Sequence, residues 1–302
     1  MICKKPYIIE AGQAVGCGQC LPCRLNRRRV WSHRIMLESY RYTDNSFVTL
    51  TYDDDNLPEG GTLVPADYQR WLKRLRKRLS PQTFRFYLVG EYGEGTERPH
   101  YHAAMFGYPS CERGGRCTKT RSCSVCHTIR DTWGHGQIHV GTLTHASAQY
   151  IAGYVTKKLT SPDDPRLKGR YPEFARMSNR PGLGADLMHD LASVGLQYDQ
   201  VENNGDVVTA LRHGGKLMPL GRYLVRRLRK LSGMPENVPA ITLAKMAAEV
   251  HDLHQAALDV TAGLKIKGLY ESNFRHKLIE KNKGKIIQLE ARDRLFKKKG
   301  TL

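Results

Sequence analysis

Nowhere does the sequence contain the ~18 consecutive apolar residues that a membrane-spanning helix requires, so no membrane partner is expected. The N-terminal MICKKPYIIEAG has neither an apolar core nor a small-residue cleavage site. We therefore expect an intracellular protein with reduced thiols. A GxxxxGK[ST] phosphate loop is missing as well, which argues against a helicase. Internal repeats are absent. Acid is in short supply: 29 Asp and Glu stand against 48 Lys and Arg, a formal charge of +19. A balance this basic favours a polyanionic partner, nucleic acid foremost. The 302 residues are enough to bury a sizeable core.

Alternating apolar residues predict a strand over Phe47–Tyr52, closed by a turn at Asp53, Asp54 and Asp55. In DYQRWLKRLRKRL, Tyr68, Trp71, Leu72, Leu75 and Leu79 recur at helical spacing, with Asp67 as N-cap or first-turn acid. FRFYLVGEYG and HYHAAMFG read as two strands of a hairpin, and GQIHVGTL as a further strand. A helix over RLNRRRVWSHR would run to about Tyr42, and ASAQYIAGYVTKKL is a second alanine-rich helix. The order predicts an α+β fold with a central, largely antiparallel sheet and helices on one face. Residues 1–34 form a Cys/Arg-rich segment, and a Cys-rich insertion spans 108–130. Residues 161–235 form a loop-rich extension ending in the basic helix MPLGRYLVRRLRKLSG. Residues 236–302 are a basic helical region that includes a helix over ITLAKMAAEVHDLHQAALDV.

The eight cysteines fall into two groups, Cys3, Cys17, Cys20 and Cys23, then Cys111, Cys117, Cys123 and Cys126. CxxC spacings in a reducing compartment point to zinc rather than disulfides. The second group lies in CERGGRCTKTRSCSVCH, which is too poor in apolar residues to order itself by burial. His127, next to Cys126, could substitute for a cysteine as ligand.

Histidine is an uncommon residue with which to begin a buried strand, yet His100 and His102 sit two apart in RPHYHAAMFG. In a strand, i and i+2 share a face. Glu91, on the other arm of the predicted hairpin, can lie near both across the ladder. Two imidazoles and one carboxylate would leave positions open on a divalent ion. In YIAGYVTKK, Tyr150, Tyr154 and Lys157 fall at i, i+4 and i+7, on one helical face. Two tyrosines at that spacing are commonly a buried stripe, but a core face has no use for the lysine. A phenol can attack a phosphodiester if the phosphate is polarised and charge on the leaving oxygen is stabilised.

FVTLTYDDD, PHYHAAMFG and YIAGYVTKK, in that order, resemble the three motifs of HUH endonucleases of the replication-initiator type. CGQCLPCRLNRRR, GEYGEGTERPHYHAAMFG and PEFARMSNRPGLG narrow the resemblance to replication initiators of microviruses, the gokushovirus-like branch. It covers residues from about 15 to 230 and assigns 35–160 to an HUH nuclease domain. It implies His100, His102 and Glu91 as ligands of Mg2+ or Mn2+, and Tyr150 and Tyr154 as nucleophiles, followed by Lys157. Lys158 adjoins, so which lysine serves stays open. It further implies nicking of single-stranded origin DNA with a 5′-phosphotyrosine link, then strand rejoining in rolling-circle replication of a small ssDNA phage. The expected setting is the cytoplasm of the bacterial host, with its helicase and polymerase as partners. Conjugative relaxases are set aside, because they place the tyrosines before the histidine pair. The insertion around Cys111–Cys126 has no counterpart in the shared phrases.

Three cationic stripes could contact phosphate, through Arg27, Arg28 and Arg29, through Arg74 and Lys77, and through Arg226 and Arg227. Trp31 or Tyr223 could stack on an unpaired base, whereas Trp71 belongs to a core. Two other readings fit the same sequence: a transposase of the same superfamily, and a non-catalytic zinc-stabilised DNA-binding protein.

Overall fold

The computed structural model describes residues 2–9, 13–93, 95–154, 163–260 and 267–299. In chain order the elements are β1 (Tyr7–Ile8), β2 (Ala14–Val15), α1 (Leu21–Ser39), β3 (Asn45–Tyr52), α2 (Pro65–Leu79), β4 (Arg85–Tyr92) and β5 (Pro99–Phe106). There follow α3 (Ser124–Trp133), β6 (Gly136–Thr142), α4 (His145–Tyr154), β7 (Phe174–Met177), α5 (Leu187–Gln197) and α6 (Gln200–Asn204). The chain continues with β8 (Ala210–His213), β9 (Lys216–Pro219), α7 (Gly221–Leu231), α8 (Ala240–Ala248), α9 (His251–Val260) and α10 (Lys267–Lys299). It divides into two compact units, one of residues 28–194 and 209–231, the other of 1–27, 195–208 and 232–302.

The first unit is built on a five-stranded sheet in the order β6-β3-β5-β4-β7, antiparallel at every pairing. Alternation along β3 explains its two faces. Val48, Leu50 and Tyr52 point to one side with Tyr101, Ala103 and Met105 of β5, and meet Trp71, Leu72 and Leu75 of α2 and Ile129 and Trp133 of α3. On the other side Tyr87, Val89, Ala104 and Phe106 meet Ile35 of α1 and Ala148, Ile151 and Ala152 of α4. Helices therefore cover both faces, not one as the element order suggested. The central strands β4 and β5 are almost wholly apolar in composition and need cover on each side. Each large side chain so buried contributes about 1.5–3 kcal/mol.

Several local expectations are revised. α1 begins at Leu21 and stops at Ser39, short of Tyr42. Val64 caps α2 with Pro65 in its first turn, and Asp67 is buried inside that turn, where its Oδ2 accepts from Tyr52 Oη at 2.9 Å. The insertion, expected to be irregular, contains α3. Val125, Cys126, Ile129 and Trp133 make its buried stripe, and Gly134 at φ 68° ends it in the left-handed conformation glycine favours. Arg74 of α2 donates to the Thr132 and Trp133 carbonyls at 2.6 and 2.9 Å, filling orphan acceptors of that helix end. FARM, read as loop, is the edge strand β7 on β4. The single helix expected over 241–260 is two, α8 and α9.

In the second unit, β1 and β2 form a short antiparallel hairpin. Phe274 of α10 and Ala257 of α9 are fully buried, and His254 stacks on Phe274 with centroids 3.8 Å apart. Among the described residues no helix is long and apolar enough to cross a membrane.

Candidate metal and tyrosine site

The hairpin register places Glu91 directly opposite His100, and His102 lies two residues further along β5, on the same face. His100 Nε2 and His102 Nε2 each approach the same carboxylate oxygen, Glu91 Oε1, at 2.9 Å. Glu91 is 1 % exposed. Burial alone would raise its pKa, but the hydrogen bonds and charges of His100 and His102 outweigh it and hold the carboxyl below the usual range. The remaining ring nitrogens are also engaged. His100 Nδ1 lies 3.0 Å from the Arg98 carbonyl, and His102 Nδ1 lies 2.9 Å from Thr49 Oγ1 on β3. These outer partners orient the rings and leave both Nε2 atoms for the centre of the site.

This donor set suits a divalent cation. His100 has an acceptor at each nitrogen, the Arg98 carbonyl and the Glu91 carboxylate, which without an ion requires an imidazolium. An ion between Nε2 and Oε1 would satisfy the same geometry with neutral imidazole. The candidate ligand atoms of Glu91, His100 and His102 all lie within 4.8 Å of one another.

Helix α4 crosses this face and brings up both tyrosines. Tyr150 Oη lies 3.3 Å from Glu91 Oε1 and 3.5 Å from His102 Nε2. The Tyr150 and Tyr154 rings meet edge to face at 5.0 Å, and Tyr154 stacks beside His102 at 6.4 Å. Tyr150 is 48 % exposed, whereas Tyr154 is half-buried against the α4 side of the core. A cleft is lined by Glu91, Tyr92, Gly93, His100, Tyr150 and Tyr154. Lys157 and Lys158 lie outside the described residues.

Each cysteine group is also gathered. The sulfurs of Cys3, Cys17, Cys20 and Cys23 lie within 4.8 Å of one another, as do those of Cys111, Cys117, Cys123 and Cys126. In the first group the backbone N–H groups of Lys4, Lys5, Cys17 and Cys20 donate to cysteine sulfurs at 3.3–3.4 Å. In the second, Cys123 N–H donates to Cys117 Sγ at 3.3 Å. His127 is not part of this group; its Nδ1 pairs with Asp131 at 3.0 Å.

The basic residues are scattered rather than brought to one place. Arg74 is occupied by the end of α3. Arg27 donates to the Gly18 carbonyl and Arg29 to the Leu217 carbonyl. Arg227 donates to Ala185 and contacts His189, and the Arg28 stem lies 3.8 Å from the Cβ position of Gly153 on α4. Lys77 is exposed on α2, and Arg226 is half-buried on α7. Trp71 is buried; Trp31 and Tyr223 sandwich the Arg34 guanidinium at 4.4 and 4.7 Å. Sequence reasoning missed Thr49. Its place in FVTLTY, on the strand face opposite Val48 and Leu50, was the signal that could have found it.

The protein family described as replication-associated protein ORF2 matches residues 45–159. The chain is 36% identical over 163 residues to the replication-associated protein VP4 of Bdellovibrio phage phiMH2K, covering 51% of each chain. It is 30% identical over 241 residues to the replication-associated protein ORF2 of Spiroplasma virus 4, covering 75% of this chain and 70% of that one. To the replication-associated protein ORF4 of Chlamydia phage 1 it is 28% identical over 227 residues, 71% of this chain and 53% of the relative. It thus spans about half the length of two of these relatives. No solved structure matches.

Proposed function

Since the chain belongs to the phage replication-associated proteins, we propose that it initiates rolling-circle replication by nicking single-stranded origin DNA through a tyrosine. The observation that carries this reading is the convergence of His100 Nε2, His102 Nε2 and Tyr150 Oη on Glu91 Oε1, at 2.9, 2.9 and 3.3 Å. A nucleophile and a candidate metal cradle then share one small, partly open site, as in-line attack on a bound phosphate requires.

In the proposed reaction the Tyr150 oxygen attacks phosphorus and the bond to the 3′-oxygen breaks. The phenol gives up its proton, the departing 3′-oxygen gains one, and a 5′-phosphotyrosine ester remains. Mg2+ or Mn2+, when held by Glu91, His100 and His102, would supply Lewis-acid polarisation of the phosphate oxygens. Tyr154, edge to face with Tyr150, is the second nucleophile for rejoining strands, and Lys157 assists the phosphates or the phenolate. The two cysteine groups are read as structural zinc sites, since four thiolates leave no position open for substrate. Origin DNA and the host helicase and polymerase are the partners this reading requires.

The test is cleavage of a labelled single strand from the phage genome, with and without Mn2+, by wild type, Tyr150→Phe, Tyr154→Phe and the double variant. A metal-dependent adduct that survives denaturation and is absent from the double variant is expected. A folded wild-type protein that binds DNA but forms no adduct on any genomic segment would sink the nicking reading in favour of a binding protein.

A further inference from the structure

The loop between Cys111 and α3 has no apolar core of its own. Among residues 112–122, Arg113, Arg116, Lys119 and Arg121 are exposed, and Glu112 is the only acid. What gathers the loop is sulfur. Cys111 Sγ lies 3.5 Å from Cys117 Sγ and 3.9 Å from Cys123 Sγ. Four sulfurs about 2.3 Å from a central zinc form a tetrahedron with edges of about 3.8 Å, which these separations bracket. A polynuclear iron–sulfur cluster would need its ligand sulfurs farther apart than the 4.8 Å limit observed here. The site is therefore closed and sized for one ion.

Its surroundings fix where the loop lies. Tyr108 Oη donates to the Val125 carbonyl at 2.7 Å, and Arg74 holds the far end of α3. The Gly115 backbone abuts His139 of the edge strand β6, so closely that a Cβ there would sit 2.9 Å from Nε2. Lys119 is near enough to Asp53, at the end of β3, for its charge to help lower the carboxyl, behind the hydrogen bonds from Asn56. His139 pairs with Thr49, and Thr49 with His102. One row thus runs from the loop across the sheet to the candidate metal ligands, two strand spacings or about 10 Å. Among the described residues no carboxylate forms an ion pair with any of the four loop cations.

We propose that Cys111, Cys117, Cys123 and Cys126 bind one zinc ion that clamps this cationic loop beside β6, where it grips the phosphates of the single strand being cut. The inference rests on the nicking reading for the identity of the strand. The clamp explains why a segment without core residues carries a fixed group of charges, and the charges explain why it borders the open edge of the sheet.

The test uses the full-length protein, its zinc content measured by mass spectrometry, and anisotropy of a dye-labelled single-stranded genomic oligonucleotide over a salt series. The quadruple variant Arg113→Ala, Arg116→Ala, Lys119→Ala, Arg121→Ala should keep its zinc and its melting temperature. It should bind about tenfold more weakly, its salt slope smaller by about 0.7 for each phosphate no longer neutralised. Cys117→Ser should carry one zinc equivalent fewer than wild type and show a similar loss of affinity. Unchanged affinity and slope in the quadruple variant would overturn the loop's role, even if the Cys117 variant fails to fold. Undiminished zinc in a folded Cys117→Ser protein, or iron in place of zinc, would overturn the clamp. Adduct formation by wild type is scored in parallel. Loop-dependent binding without any adduct removes the nicking reading alone, whereas an adduct with loop-independent binding removes this inference alone.

Discussion

Tyr150 Oη and Glu91 Oε1 lie 3.3 Å apart, although the two residues are 59 positions apart in the chain. The carboxylate oxygen that faces the phenol is the one both histidines approach. Position of the nucleophile and integrity of the cradle are thus set by one atom.

Glu91→Gln keeps the shape of this site and removes its charge. We expect Mn2+ binding, followed by calorimetry or electron paramagnetic resonance, to weaken by at least about tenfold. Adduct formation should fall with it, while the melting temperature changes little or rises, since a buried carboxylate is removed. Retention of wild-type Mn2+ affinity would detach Glu91 from the metal.

Thr49→Val removes the Oγ1 partner of His102 Nδ1 without changing side-chain volume much. Outer partners of ligating histidines are typically worth 10–100-fold in metal affinity or activity. A loss in that range is expected, with Thr49→Ser recovering most of it; equal behaviour of the Val and Ser variants would refute an orienting role.

Arg74→Gln leaves the Thr132 and Trp133 carbonyls without their donor. A loss of about 1–3 kcal/mol in denaturant unfolding is expected, and Arg74→Lys should recover little because a lysine lacks the planar fork. Affinity for single-stranded DNA should hardly change, because the guanidinium is already occupied. A selective loss of DNA affinity without loss of stability would instead make Arg74 a phosphate contact.

His33 is buried, with Nδ1 3.0 Å from the Pro219 carbonyl, and its pKa is lowered chiefly by burial and further by His213 and His145. A folded pKa below the unfolded value of 6.5 means that His33 favours the folded state fully above pH 6.5. That contribution is lost as pH falls through the lower folded value. His145 and Lys216 face His213 from neighbouring elements and share in the effect, His145 with its own pKa lowered by burial first. Urea unfolding of wild type should therefore weaken between pH 7.5 and about 5, and His33→Gln should flatten part of that dependence. An unchanged slope would show that His33 is not the titrating group.

The sequence by itself determined the strands of the sheet, the amphipathic α2, the histidine pair on one strand face and the two tyrosines on one helical face. These are periodicities of 2.0 and 3.6 residues, set by local backbone geometry and legible in any single strand or helix. It also grouped the cysteines correctly into two fours, because ligand spacing is local. Only the tertiary structure decided that Glu91 stands opposite His100, since register depends on the hairpin as a whole. Likewise it alone assigned Arg74 to the end of α3, wrapped both sheet faces in helices and joined FARM to β4 as an edge strand. Thr49, His33 and Arg74 each take their role from a partner far along the chain. A hydrogen bond to a distant carbonyl or imidazole leaves no period in the sequence, and becomes visible only when packing brings the two groups within 3 Å.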